Sequence, residues 1–234
     1  FRTTNLSGDW REIGGNLETT LSRWADACRA QGGTVVIPHL PNPNCEPAAL
    51  IATGRADAIE MLVHDPYNHL EYYRYLNCGY RLPLVGGTDK MTANVPVGLY
   101  RTYVAIPADE PFTYENWCKH LRAGRTFLSG GPLIRLAVEG RAIGDTIDLP
   151  GNGGTLNVDA AVESIFPVHA LEIVVNGAIV ARTEEARGAR TLSLRAPVPV
   201  TGHSWIAARC AGPNYSSLKH HDGWRRGIMA HTSP

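Results

Sequence analysis

Leu17, Leu21, Trp24 and Cys28 recur at helical spacing, which predicts a first helix with Asn16 as its cap and Gly32 as its stop. Thr34-Val35-Val36-Ile37 reads as a short buried strand. A second helix is expected from Pro47 to just before Gly54, then a strand over Ala58-Ile59-Glu60-Met61-Leu62. Asp65-Pro66 suits a helix opening, because Asp accepts orphan amide hydrogens and Pro fits the first helical position. The face of that helix is Leu70, Tyr73 and Leu76, with Gly79 after it. Strands follow at Leu82 to Val85 and Tyr100 to Ile106, and Thr113 caps a helix carrying Trp117 and Leu121 that stops at Gly124. Alternating helix and strand patterns predict a mostly parallel sheet with covering helices.

After Gly130-Gly131-Pro132 the helical period is lost. Short apolar runs at Ile134 to Val138, Leu156 to Ala160, Leu171 to Val175, Thr191 to Leu194 and Trp205 to Ala208 are punctuated by turn residues. Asn176-Gly177 between two such runs is a strong two-residue hairpin signal. The expected organisation is therefore an α/β domain over 1–130 and a small antiparallel β-sandwich over 131–234.

Hydrophobic residues make up 44% of the 234, enough to bury a core. Lys and Arg number 22 and so do Asp and Glu. A net charge of zero disfavours nucleic acid and anionic membranes, both of which require a basic surface. No apolar run reaches the ~20 residues of a membrane-spanning helix. Cys28, Cys45, Cys78, Cys118 and Cys210 form no paired spacing, which argues against a zinc knuckle or a redox motif. The expected partner is a small-molecule substrate. The expected location is secreted or periplasmic, with the cytoplasm as the alternative.

In parallel α/β proteins functional groups gather at the carboxyl ends of the strands. Three successive strands here deliver polar groups there: Pro38-His39, then Glu60 with His64 beyond it, then Gly86-Gly87-Thr88-Asp89. His, Glu and Asp together suit a divalent metal such as zinc, manganese or iron. Each also has a plainer reading. His39 fits a loop residue, Glu60 fits an exposed strand edge, and Asp89 fits a helix-capping turn. His220-His221 with Asp222 reads as a solvated loop, and Tyr72, Tyr73 and Tyr75 as helix packing. Neither a GxSxG elbow nor a phosphate-binding glycine loop is present.

Gln31 to His39 resembles the strand that ends in a metal-binding His in the PHP (polymerase and histidinol phosphatase) superfamily. Leu76-Asn77-Cys78-Gly79-Tyr80-Arg81-Leu82-Pro83, followed by Gly87-Thr88-Asp89, is similar to the last metal-ligand segment of its carbaryl-hydrolase-like (CehA/McbA) branch. The similarity continues through Arg101-Thr102-Tyr103-Val104, Gly124 to Phe127, Glu172 to Gly177 and Trp205 to Arg209. It implies a partial (β/α) PHP-type barrel followed by a β-sandwich. It also implies a hydrolase that acts on an ester, carbamate or phosphoester through metal-activated water. By position, His39, Glu60 and Asp89 match metal ligands, and Arg101 matches a group that orients an anionic substrate. The chain departs from the family in reading Asp89-Lys90-Met91 where Asp-x-His is usual, and in lacking the amino-terminal His-x-His strand. It therefore reads as a piece of a longer protein, with His39 and Asp89 as half of a metal cluster. The alternative is a non-catalytic relative that binds a carbohydrate or a protein.

Overall fold

The structure, a computed structural model, describes residues 20–40, 46–61, 68–88, 90, 93, 97–212 and 228–234. The expected Asn16 cap, the Asp65-Pro66 opening, Cys45, His64, Asp89 and His220 to Asp222 lie outside these. Helix α1 (Leu21–Ala30) starts at Thr20, whose hydroxyl accepts the Arg23 amide at 3.3 Å, and it buries Ala25 and Cys28. The first strand, β1 (Val36–Leu40), runs three residues beyond the expected Ile37. Helix α2 (Pro47–Ala52) leads to β2 (Ala58–Met61), and α3 (Asn68–Asn77) to the two-residue β3 (Leu84–Val85). These strands pair in parallel in the order β1-β2-β3. Ile37, Leu40, Ile59, Met61 and Leu84 pack against Tyr72, Tyr73 and Leu76 of α3. The tyrosines at 72 and 73 are core residues, in line with helix packing.

The parallel pattern stops at β3. Strand β4 (Arg101–Val104) is followed by α4 (Tyr114–Arg122), capped by Thr113 as expected, and by β5 (Thr126–Ser129). Strand β5 pairs antiparallel with β4, Arg101 opposite Ser129 and Val104 opposite Thr126. The free edge of β3 is closed by hydroxyls in place of a fourth parallel strand. The Leu84 amide donates to Ser233 Oγ (2.8 Å), Thr126 Oγ1 donates to the Leu84 carbonyl (2.6 Å), and Thr102 Oγ1 bonds both backbone groups of Gly86. With those groups satisfied, no further strand can add to that edge.

The remaining strands are β6 (Leu133–Val138), β7 (Arg141–Ala142), β8 (Gly154–Val175), β9 (Ala178–Val200), β10 (Ile206–Ala211) and β11 (Met229–Thr232). With β4 and β5 they form one eight-stranded sheet, ordered β4-β5-β11-β10-β8-β6-β7, with β9 on the other edge of β8. Strand β8 pairs with β6 through Val158 to Glu163 and with β10 through Ala170 to Val175, and the register breaks between these stretches. The two halves curl around a shared core, Ile134, Leu136, Val158 and Val162 facing Leu171, Ile173, Ala208 and Cys210. The turn between β8 and β9 is the expected Asn176-Gly177, both at positive φ (51° and 91°), as a tight hairpin turn requires.

The expected fold class, a partial (β/α) PHP-type barrel followed by a small antiparallel β-sandwich, is corrected by this topology. Of the described residues 45% are strand and only 19% helix, and the larger unit is a curled antiparallel half-barrel. The physical cause is twofold. Hydroxyl side chains end the parallel sheet at its third strand, and α4 does not carry the chain back for a parallel return. No helix among the described residues is long and apolar enough to cross a membrane.

Candidate functional site

The carboxyl ends of β1 and β2 bring together two of the expected ligands. Between Ile37 and Leu40 the pairing of β1 with β2 slips, and His39 within that bulge takes a left-handed conformation (φ 56°). Bulges re-aim side chains, and a non-glycine residue in this region is uncommon. The bulge turns the His39 amide onto Glu60 Oε2 at 3.0 Å and leaves His39 Nε2 4.0 Å from the same oxygen. The Glu60 side chain is 14% exposed and that of His39 37%, so a nearly buried carboxylate sits behind an imidazole that solvent reaches.

Gly87 completes the corner. A Cβ there would overlap Glu60 Oε1 and lie 3.2 Å from its Cδ, so the carboxylate occupies the space that the glycine leaves. Beyond it, Thr88 Oγ1 donates to the Tyr100 carbonyl (3.0 Å) and accepts the Tyr100 amide (3.2 Å), which ties the segment after β3 to the start of β4. Asp89, the third expected ligand, is outside the described residues. Arg101 stands on the neighbouring strand, its backbone carbonyl against Gly86. Its guanidinium lies over the Tyr103 ring, 6.0 Å from the centroid.

These contacts bear on whether the residues suit a divalent metal. Two ligands bonded at ~2.0–2.2 Å with a tetrahedral angle stand ~3.4 Å apart, so a small rotation of the imidazole brings the pair into range. Glu60 keeps lone pairs beyond the one that accepts the His39 amide. Among the described residues no three His, Cys, Asp or Glu side chains converge as a metal cluster. The described part of the site is thus a two-ligand corner of the right chemical type.

A second polar group, not anticipated from the sequence, is buried between α3 and the curled sheet. His231 is fully buried. Its Nδ1 bonds the Thr232 carbonyl at 2.7 Å, so the proton is on that nitrogen and Nε2 accepts the Tyr73 hydroxyl, also at 2.7 Å. Burial drives the imidazole pKa down to about 3, and the positive charge of Arg209 adds to the effect, against a smaller upward pull from the Thr232 carbonyl. Arg209 pairs with Glu172 at 2.5 Å and reaches the Tyr73 hydroxyl at 3.4 Å. The spacing of these residues in sequence carries no signal, because 158 positions separate Tyr73 from His231.

No protein-family model, curated protein or solved structure matches the chain.

Proposed function

We propose that the chain carries part of a metal-dependent hydrolase site, with His39 and Glu60 as ligands to a divalent ion and Asp89 as the third. The observation that supports this reading is the corner in which a strand bulge, a nearly buried carboxylate and a cradling glycine meet at the carboxyl ends of parallel strands. A bound zinc, manganese or iron would lower the pKa of its water and polarise the oxygen under attack. The resemblance of Gly87-Thr88-Asp89 to the PHP segment suggests an ester, carbamate or phosphoester as the substrate. In this reading Glu60 is held by the His39 amide so that one carboxylate oxygen stays aimed at the ion. His39 takes the solvent side, and Arg101 orients the negative charge of the substrate.

Calorimetric titration with zinc and manganese, together with turnover of an ester and phosphoester panel, tests this. The expected result is saturable binding that Glu60→Gln weakens about tenfold or more, with any turnover lost in Asp89→Ala. Absence of binding to the folded protein at millimolar metal would overturn the proposal. Binding without turnover would favour the non-catalytic alternative, which the Asp89-Lys90-Met91 departure already favours.

A further inference from the structure

At the other end of β3 from Gly87, a cleft of about 830 Å³ opens between the Asn77–Pro83 segment, the loop after β7 and the loop between β9 and β10. Its size lies within the ~300–1,000 Å³ of small-molecule sites. Its floor is made by residues of the curled sheet's core. Leu136, Leu156 and Val200 keep 8%, 7% and 7% exposure, and all three line the cleft. Tyr80 and Trp205 add aromatic walls.

The polar groups of the wall are largely satisfied among themselves. The Trp205 indole N–H donates to Asn77 Oδ1 (2.7 Å), and Asn77 Nδ2 donates to the Asn176 carbonyl (3.3 Å). Asp145 pairs with Arg125 at 3.3 Å. Asp148, His203 and a second guanidinium, that of Arg141, are exposed at the lining. Arg81 differs from these. Its guanidinium is held across the cleft by Thr146 Oγ1 (3.1 Å) and the Gly144 carbonyl. That uses two of its five N–H donors and leaves three on a cation already fixed in place. A pre-positioned guanidinium beside an aliphatic floor is suited to a carboxylate on an apolar body, because the ordering cost is already met on the protein side.

We propose that this cleft binds a small amphipathic carboxylate, its anionic head on Arg81 and its apolar body over Leu136, Leu156 and Val200. The site is separate from the His39–Glu60 corner and does not depend on the hydrolase reading. Octanoate, octanol and octylamine are suitable probes, titrated calorimetrically into the whole chain. Octanoate should bind about tenfold more tightly than octanol, the advantage expected of a charge-assisted hydrogen bond. Octylamine should bind more weakly than either. Arg81→Gln should erase the preference for octanoate over octanol, while Val138→Phe, which fills the cleft from β6, should weaken both. On the unsubstituted protein, octanoate should move the Trp205 indole N–H resonance, a readout independent of how either variant folds. Absence of octanoate binding at millimolar concentration, or an unmoved Trp205 signal, would overturn the proposal. Equal affinity for octanoate and octanol, or tighter binding of octylamine, would overturn the assignment of Arg81 as the anion site.

Discussion

Gly87 is the residue on which the His39–Glu60 corner depends most directly, since it alone leaves room for the carboxylate. Its neighbour is the far end of a flexible side chain, so Gly87→Ala should lower stability by only about 1 kcal/mol. The carboxylate must swing aside, however, and its bond from the His39 amide is lost. Divalent-metal affinity should then fall as far as it does in Glu60→Gln, with little change in melting temperature; unchanged affinity would show that the carboxylate is not the ligand. His231 supports a different expectation. The groups facing it are the Tyr73 hydroxyl, Arg209 and His69, and burial holds its pKa near 3 against an ordinary 6.5. The unfolded chain therefore binds the extra proton between these values. Stability from this group is complete above about pH 6.5 and declines as pH falls toward 3, by at most ~1.4 kcal/mol per pH unit. His231→Gln keeps an acceptor for Tyr73 but cannot titrate. Urea unfolding should show wild type losing stability relative to this variant on acidification, and parallel pH profiles would refute the assignment.

The elements that the sequence reveals are those whose pattern reports one buried face. Helix α4, with its Thr113 cap, and the Asn176-Gly177 turn follow directly from local chemistry. So do β2 and the apolar cores of β6 and β10. Strands β8 and β9 are not legible at full length. Period-two alternation in β8 is interrupted at Ser164-Ile165-Phe166-Pro167, where the register slips and the strand turns from one half of the sheet to the other. The middle of β9 is mostly exposed on both faces, so it carries no hydrophobic period. In the candidate site, His39, Glu60 and the glycines were legible as polar residues after strands, whereas the bulge that turns His39 was not. Nor was the ladder of charge that joins β8 to its neighbours. Glu172 stands opposite Arg209 of β10 and Arg182 of β9, ion-paired to both at 2.5 and 3.4 Å. The Glu172 side chain is 8% exposed, so Glu172→Ala removes the buried carboxylate with which Arg209 and Arg182 are ion-paired and should cost ~3–5 kcal/mol in denaturant unfolding. Adding Arg209→Met to a Glu172→Leu background should recover most of that loss, because an apolar pair avoids the desolvation cost. A double variant no better than Glu172→Ala would show that the ladder stabilises in its own right.

At the scale of the whole molecule, the two sheets meet along a seam of hydroxyl groups. The parallel unit contributes the Leu84 and Gly86 backbone and the Tyr72 hydroxyl, which donates to the Leu82 carbonyl at 2.7 Å. The antiparallel unit contributes Thr102, Thr126 and Ser233, and Thr126 and Ser233 also bond each other at 2.7 Å. Side-chain oxygens here do the work that a neighbouring strand's backbone would do in a continuous barrel. The expected consequence is that they couple the folding of the parallel unit, which carries the His39–Glu60 corner, to that of the curled sheet. Ser233 is the centre of the seam: it is 1% exposed and accepts the Leu84 amide. Ser233→Ala leaves that buried N–H without its acceptor, at an expected cost of ~1–3 kcal/mol. If the seam is what couples the sheets, the loss should not be uniform. Amide exchange at Ile59 and Leu84 should accelerate strongly, while amides of the β8–β10 pairing, such as Val174 and Ala207, should keep most of their protection. Thr126→Val should do the same more weakly, since it leaves the Leu84 carbonyl unsatisfied but retains Ser233. Equal acceleration across both sheets in Ser233→Ala would mean that they unfold as one unit whatever the seam contributes.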